Sequence, residues 1–307
     1  MSLPWRCLGL AATAIAVAIA PHFMARYGVY LTTLWCVWVI AGFGLNLTVG
    51  YAGLISIGQA AFLGIGAYTE AILVKAGVPF LPALLAGAAL CFLVGLVLGF
   101  PALRVQHHYL AFATLGFNVL VSLVFRNEEW LTGGTFGLNN IPKPALFGWR
   151  FVLPMELFGL VYVTLLVMAA LMAFLLRSPW GRAFAALRDN PIRAESVGID
   201  TTFYTLMAFA IGAAFAGVAG GLFGPLVGFI EPASFTVATS LSMLLMVIAG
   251  GSGRFLGPAV GAVIVVLLPE WLRFIRDYYL AVFGLMIVAM MVWLPGGLLS
   301  LPERLRR

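Results

Sequence analysis

Gly44-Leu-Asn-Leu-Thr-Val-Gly-Tyr-Ala-Gly-Leu-Ile-Ser-Ile-Gly-Gln-Ala-Ala-Phe-Leu-Gly-Ile-Gly-Ala-Tyr68 is the stretch that decides the fold. Its hydrophobicity is of membrane grade, yet glycines and a few polar side chains interrupt it. A simple anchor has no use for Asn46, Ser56 and Gln59, because an unsatisfied polar group in hydrocarbon costs several kcal/mol. The economical reading is two tightly packed transmembrane helices joined by a glycine-rich break at Gly50, Gly53 and Gly58 that lines a pathway. Glycine permits dihedrals and close contacts that other residues forbid, so replacing Gly53 or Gly58 with valine is expected to abolish function while leaving insertion intact.

The rest of the chain agrees. Of 307 residues, 63% are hydrophobic and 9% charged, against about 25% charged in an average soluble domain; the mean hydropathy is +1.08. The fold class is therefore all-α, a polytopic integral membrane bundle forming a single domain over 1–307. Apolar runs long enough to cross a ~30 Å hydrocarbon core predict ten helices, at about 7–24, 29–49, 56–75, 80–102, 108–125, 154–176, 203–228, 236–250, 256–270 and 278–295. The first, eighth and ninth are short, which leaves open an eight-helix arrangement with re-entrant pieces. The N-terminal stretch has the look of a signal peptide; with so many later spans it is read as a retained first helix.

Basic residues orient the bundle. With the N-terminus inside, inner segments hold ten (Arg6, Arg104, Arg177, Arg182, Arg188, Arg193, Arg254, Arg304, Arg306, Arg307). Outer segments hold seven (Arg26, Lys75, Arg126, Lys143, Arg150, Arg273, Arg276). The clustering at 177–193 and at the C-terminus strengthens the bias, so both termini are read as cytoplasmic. The net charge of +6 then reflects cytoplasmic loops, and no nucleic-acid partner is expected.

Two polar segments break the pattern. Residues 126–153 form an outer loop whose Trp130, Trp149 and Phe151 suit either an interfacial belt or a small outer subdomain. Residues 177–202 form the main inner loop. Ser178 can cap a helix with Pro179 at its first position, and Gly198 can end a second stretch after the Asn190-Pro191 break. A short helix pair on the cytoplasmic face, presenting Arg182, Arg188 and Asp189, is the strongest candidate for a docking element.

Small-xxx-small rows (Gly95/Gly99, Gly217/Gly221, Gly220/Gly224/Gly228, Gly253/Gly257/Gly261) are packing signals in the first instance. A faint similarity between 50–66 and 248–261 hints at an internal duplication. With only Lys75 and Lys143 in the chain no P-loop exists, and no hydrolase or metalloprotease motif occurs. Cys7, Cys36 and Cys91 sit in apolar runs without ligand spacing, so neither a disulfide framework nor a metal site is expected. His107-His108 is read as interfacial, with a proton relay as the other possibility.

Glu70 is the one acid well inside an apolar run. It lies about 7.5 Å of helix rise before Lys75, close enough to reach outer water. An intramembrane acid is a functional hypothesis by default; anchoring the helix at the outer interface is the alternative. Asn46, Gln59 and Asn118 are neutral and deeper, and serve as helix–helix hydrogen bonds or as solute contacts. No ladder of acids crosses the membrane, which counts against an ion-coupled secondary carrier, the competing function. A membrane enzyme would need a catalytic cluster that the sequence does not offer.

These residues resemble a known family. The quoted run is similar to the signature of LivM-type permeases of ABC importers for branched-chain amino acids. Thr132-Gly-Gly-Thr-Phe-Gly-Leu138, Gly181-Arg-Ala-Phe-Ala-Ala-Leu-Arg-Asp-Asn190, Ala194-Glu-Ser-Val-Gly-Ile199, Met246-Val-Ile-Ala-Gly-Gly-Ser-Gly-Arg-Phe-Leu-Gly-Pro258 and Leu294-Pro-Gly-Gly-Leu298 follow in order. The resemblance implies a multi-pass permease of the bacterial inner membrane, with the vitamin-B12-permease kind of helical fold. It also implies a second, LivH-like permease subunit, two cytoplasmic ABC ATPases that use the ATP, a periplasmic substrate-binding protein, and no cofactor of its own. The 177–202 loop takes the ATPase-coupling role, with Arg182, Arg188, Asp189, Glu195 and Gly198 as its residues, although Ala194-Glu195-Ser196…Gly198 departs from the Glu-Ala-Ala…Gly form of other ABC permeases. The pathway residues would be Asn46, Gln59, Glu70 and Asn118. A path with no fixed charge beyond Glu70 suits a small zwitterion with an apolar tail and a neutral amide equally.

Overall fold

The computed structural model describes residues 17–102, 107–146, 148–267, 270, 284–285 and 297–300. Eight of the ten expected segments have helical counterparts here. The first span, except for its end, and the last, except for 284–285, lie outside the described residues, as does Cys7.

After a 3-10 turn at Ala20–Phe23, α1 runs Arg26–Leu45 and passes into a π-helical turn, Asn46–Tyr51. An irregular stretch leads to α2 (Gln59–Lys75), followed by α3 (Phe80–Ala102) and α4 (His107–Asn127). The outer-loop segment holds a single turn, α5 (Glu129–Thr132), a 3-10 turn, and a two-residue antiparallel pair, β1 (Ala145–Leu146) and β2 (Trp149–Arg150). Next come α6 (Pro154–Arg177), α7 (Pro179–Asp189), α8 (Pro191–Ser196), α9 (Thr201–Val227), α10 (Val237–Gly251) and α11 (Gly257–Ala262), the last continued by a π turn at Val263–Leu267.

Among the described residues, five helices are long and apolar enough to cross a membrane: Arg26–Tyr51, Phe80–Phe100, Leu110–Asn127, Pro154–Arg177 and Thr201–Val227. Val237–Gly251 and Gly257–Leu267 are shorter. Among the described residues, the small strand pair and an isolated bridge between Leu138 and Ile230 depart from an all-α reading. A peptide folded back over so few residues satisfies its own backbone groups without needing a helix.

The centre of the bundle is α9, packed against α3, α2 and α1. Hydrophobic burial does little to hold helices together in lipid, where tails are as apolar as leucine; close backbone approach does. Glycine makes that approach possible. A Cβ on Gly66 of α2 would strike the Gly217 carbonyl of α9, and one on Gly220 would strike the Leu63 carbonyl. On the other flank, a Cβ on Gly44 of α1 would meet the Gly212 carbonyl. The Gly217/Gly221 and Gly220/Gly224 rows thus seat two neighbouring helices on one central helix.

The expected helix pair of the 177–202 loop is present. Ser178 Oγ accepts from the Trp180 amide at 3.2 Å, and Asn190 Oδ1 accepts from the Arg193 amide at 3.1 Å, capping α7 and α8 in turn. Gly198 closes the unit at φ +84°, a left-handed conformation that glycine adopts without cost. In the 126–153 segment Trp130 is 81% and Trp149 65% exposed, while Phe151 is half-buried. The exposure of the two tryptophans fits a belt at an interface.

Candidate functional site

Three polar constellations interrupt the apolar bundle. The first lies where α1 gives way to its π turn. Asn46 is buried, and its side chain reaches across to the turn between α10 and α11. Its Nδ2 donates to the Arg254 carbonyl at 2.9 Å, and its Oδ1 accepts from the Gly253 amide at 2.9 Å. The two glycine-rich stretches that look alike in sequence are therefore joined side by side, and one asparagine satisfies both backbone groups. Gly50 touches Gly253 so closely that a Cβ would meet the Gly253 amide nitrogen. Gly53 and Gly253 hold φ of +73° and +75°, whereas Gly58, at φ −103°, is an ordinary conformer at the start of α2. Arg254 in turn donates to the Leu299 carbonyl.

Arg188, in the last turn of α7, completes this constellation. Its Nη1 donates to the Gly50 carbonyl at 2.5 Å. The helix is amphipathic: Gly181, Ala183, Phe184 and Leu187 are buried, and Arg182 and Asp189 are exposed. Trp180 and Phe184 pack with Phe203 and Tyr204 at the start of α9, with centroids 5.7–6.4 Å apart. Glu195 is exposed, and its Oε1 accepts from Thr201 Oγ1 at 2.6 Å. All five loop residues named from sequence, Arg182, Arg188, Asp189, Glu195 and Gly198, are exposed. Arg188 alone turns its guanidinium onto the glycine breaks.

The second constellation surrounds the first turn of α2, whose leading amides have no intrahelical partner. Thr114 Oγ1 accepts from the Ile57 amide at 3.0 Å, and Ser240 Oγ accepts from the Ala60 amide at 2.9 Å. Asn118 Nδ2 donates to the Ile57 carbonyl at 3.2 Å and to Ser240 Oγ, while its Oδ1 is buried without a partner. On another side of the same turn, Gln59 Nε2 donates to the Ala41 carbonyl at 3.1 Å and the Gly212 carbonyl at 3.3 Å, tying α2 to α1 and α9. Sequence reasoning missed Ser240 and Thr114. Each is a hydroxyl in an apolar helix, a pattern usually satisfied by the helix's own carbonyls, and nothing in the order of residues says that they meet.

The third lies three turns further along α2. Glu70 is fully buried, and neither carboxyl oxygen has a hydrogen-bond partner. This overturns the expectation that the side chain reaches outer water, and with it the exposed-anchor alternative. Helix rise measures depth along an axis; whether a side chain meets water depends on which neighbours cover it. Here α9 covers it: a Cβ on Gly221 would lie 3.3 Å from Glu70 Cβ, and one on Gly224 would lie 3.6 Å from Oε2. Leu84, Ile141 and Ile230 close in around the same two glycines. The Tyr68 hydroxyl, on a ring packed against Phe125 with centroids 4.4 Å apart, is likewise buried and unpartnered. Loop 137–143 lies nearby, held by Lys75 Nζ to the Asn139 carbonyl at 2.8 Å, Lys143 Nζ to the Pro225 carbonyl at 2.7 Å, and paired backbone bonds between Leu138 and Ile230. Burial pulls the Lys143 ammonium below the usual lysine range.

The four candidate pathway residues therefore do not converge on one point. Asn46 is at the break, Gln59 and Asn118 face different neighbours of one helical turn, and Glu70 lies toward the other end of α2. Cys36 and Cys91 are buried between helices.

A polytopic helical bundle with polar side chains and glycine breaks concentrated on its central helices, and a capped amphipathic helix pair at one end, defines a membrane permease. The sequence matches the family described as "Branched-chain amino acid transport system / permease component" over residues 27–291, and the chain belongs to that family. It is 38% identical over 312 residues to the high-affinity branched-chain amino acid transport system permease protein LivM of Escherichia coli K12, and 37% to that of Salmonella typhimurium. Each alignment covers 94% of this chain and 73% of the relative. More distantly, it is 25% identical over 317 residues to the autoinducer 2 import system permease protein LsrC of Escherichia coli O9:H4, covering 95% and 88% of the two chains. No solved structure matches the chain.

Proposed function

We propose that this chain is the transmembrane permease subunit of an ABC importer that moves branched-chain amino acids, or similar small amphipathic solutes, into the cell. It works beside a second, LivH-like permease, two cytoplasmic ATPases that supply the energy, and a periplasmic binding protein. The protein sits in the bacterial inner membrane with both termini cytoplasmic, crosses it ten times, and has the vitamin-B12-permease kind of fold. The observation that carries this reading is the α7–α8 pair, a capped polar unit seated by its apolar face on the bundle and bonded through Arg188 to a glycine break. That is the arrangement expected of a part that receives movement from outside the membrane, and the chain has no P-loop of its own.

The likeness to LivM permeases supports the substrate class. Within the pathway, Glu70 and Asn118 meet the solute, since both keep buried polar atoms without partners. Asn46 and Gln59, whose donors are engaged between helices, hold the break and the first turn of α2 in place.

The test is reconstitution. The chain, its partner permease and the two ATPases are placed in proteoliposomes, with the binding protein outside, and radiolabelled leucine uptake is followed. Uptake that needs ATP and all subunits is expected. Uptake by this chain alone, driven by an ion gradient, would overturn the proposal in favour of a secondary carrier. ATP-driven uptake of a neutral amide and not of leucine would overturn the substrate class alone.

A further inference from the structure

We propose that Arg188 is the strut through which movement of the 177–202 loop enters the two glycine breaks, a positioning role distinct from contact with an ATPase. The inference rests on the importer reading. Arg188 is an exposed residue of α7, and its charge alone suggests a surface contact with a partner. Its guanidinium, however, is engaged within the chain. The guanidinium donates to the Gly50 carbonyl inside the π turn. A Cβ on Gly253 would strike Arg188 Nη1 and lie 3.2 Å from its Cζ, and a Cβ on Gly53 would lie 3.4 Å from the Arg188 Cα. Two glycines, one from each break, thus border the arginine side chain, and the Gly50 carbonyl receives its end.

The acceptor is suited to the purpose. Within the π turn and after it, the Ala52 amide bonds to the Leu47 carbonyl and the Leu54 amide to the Thr48 carbonyl, while Arg188 supplies a donor to Gly50. A hydrogen bond from a charged donor is about twice as strong as a neutral one. Asn46 fastens the second break to the first through Gly253 and Arg254. A push on α7 therefore reaches Gly50 through the arginine and Gly253 through the asparagine, and both breaks respond as one body.

The assay is leucine taken up per ATP hydrolysed by the complete reconstituted complex, with co-purification of the ATPases as the control for assembly. Arg188→Met should lower that ratio at least about tenfold while the ATPases still co-purify. Arg188→Lys, which keeps the surface charge but loses the guanidinium fork, should lower it too. A normal ratio in either variant would overturn the strut.

A wild-type complex that shows no ATP-driven uptake would instead defeat the importer reading itself.

Discussion

Glu70 should make the protein less stable than it needs to be, and substituting it should expose the trade. Two carboxyl oxygens are buried among Leu84, Ile141, Ile230 and the glycine face of α9, with no donor in reach. Leaving a buried polar group unpaired costs about 1–3 kcal/mol, and more if it is charged. Glu70→Leu fills similar space with apolar atoms, and such a replacement of a buried polar group is often stabilising. Against this stands a small repacking cost, under about 1.5 kcal/mol for a volume-conserving change. The net expectation is a gain of about 1 kcal/mol, seen as a rise of a few degrees in the melting temperature of the purified protein in detergent. Leucine uptake by the reconstituted complex should fall sharply in the same variant. Glu70→Gln, which keeps volume and polarity, should leave stability nearly unchanged while also lowering uptake. A gain in stability joined to a loss of function is the mark of a residue kept for its chemistry. A loss of more than about 1 kcal/mol in Glu70→Leu would show that the carboxyl has a partner in the working protein and would refute the burial argument. Wild-type uptake in both variants would retire the pathway role.

Gly220→Val, which drives a side chain into the Leu63 carbonyl and the Ala67 amide, should separate α2 from α9 at a cost of about 1–3 kcal/mol or more; loss of folded protein after detergent extraction is the readout. Gly53→Val should abolish uptake because it must hold φ near +73°, whereas Gly58→Ala, at an ordinary φ with Thr114 atoms 3.2–3.3 Å from the new Cβ, should transport at a reduced rate. Equal rates for the two would show that backbone conformation at Gly53 is immaterial. Gln59→Leu should lower stability in detergent by roughly 1 kcal/mol, the scale of interhelical hydrogen bonds in membranes, while ATP-driven uptake by whatever complex remains folded continues.

The sequence by itself determined eight helices that the structure describes, their approximate ends and the capped pair at 178–198. Those depend on local properties: unbroken apolar length, proline at first positions, a serine or asparagine to take the first free amides, glycine where the chain must turn left-handed. It also located the glycine-rich run and the family resemblance. What it left undetermined was which residues meet. Asn46, Gln59, Glu70 and Asn118 read alike, as polar side chains in apolar runs, yet Asn46 closes on the Gly253 and Arg254 backbone, Gln59 fastens α2 to α1 and α9, and Glu70 and Asn118 keep unpartnered oxygens. Arg188 read as one more surface charge beside Arg182 and Asp189, and its turn onto Gly50 depends on a contact between residues 138 positions apart. Only tertiary structure decides such pairings, because burial and partnership are properties of what the rest of the chain places alongside a side chain. A residue's neighbours in sequence carry the period of its helix but not the identity of the helix packed against it.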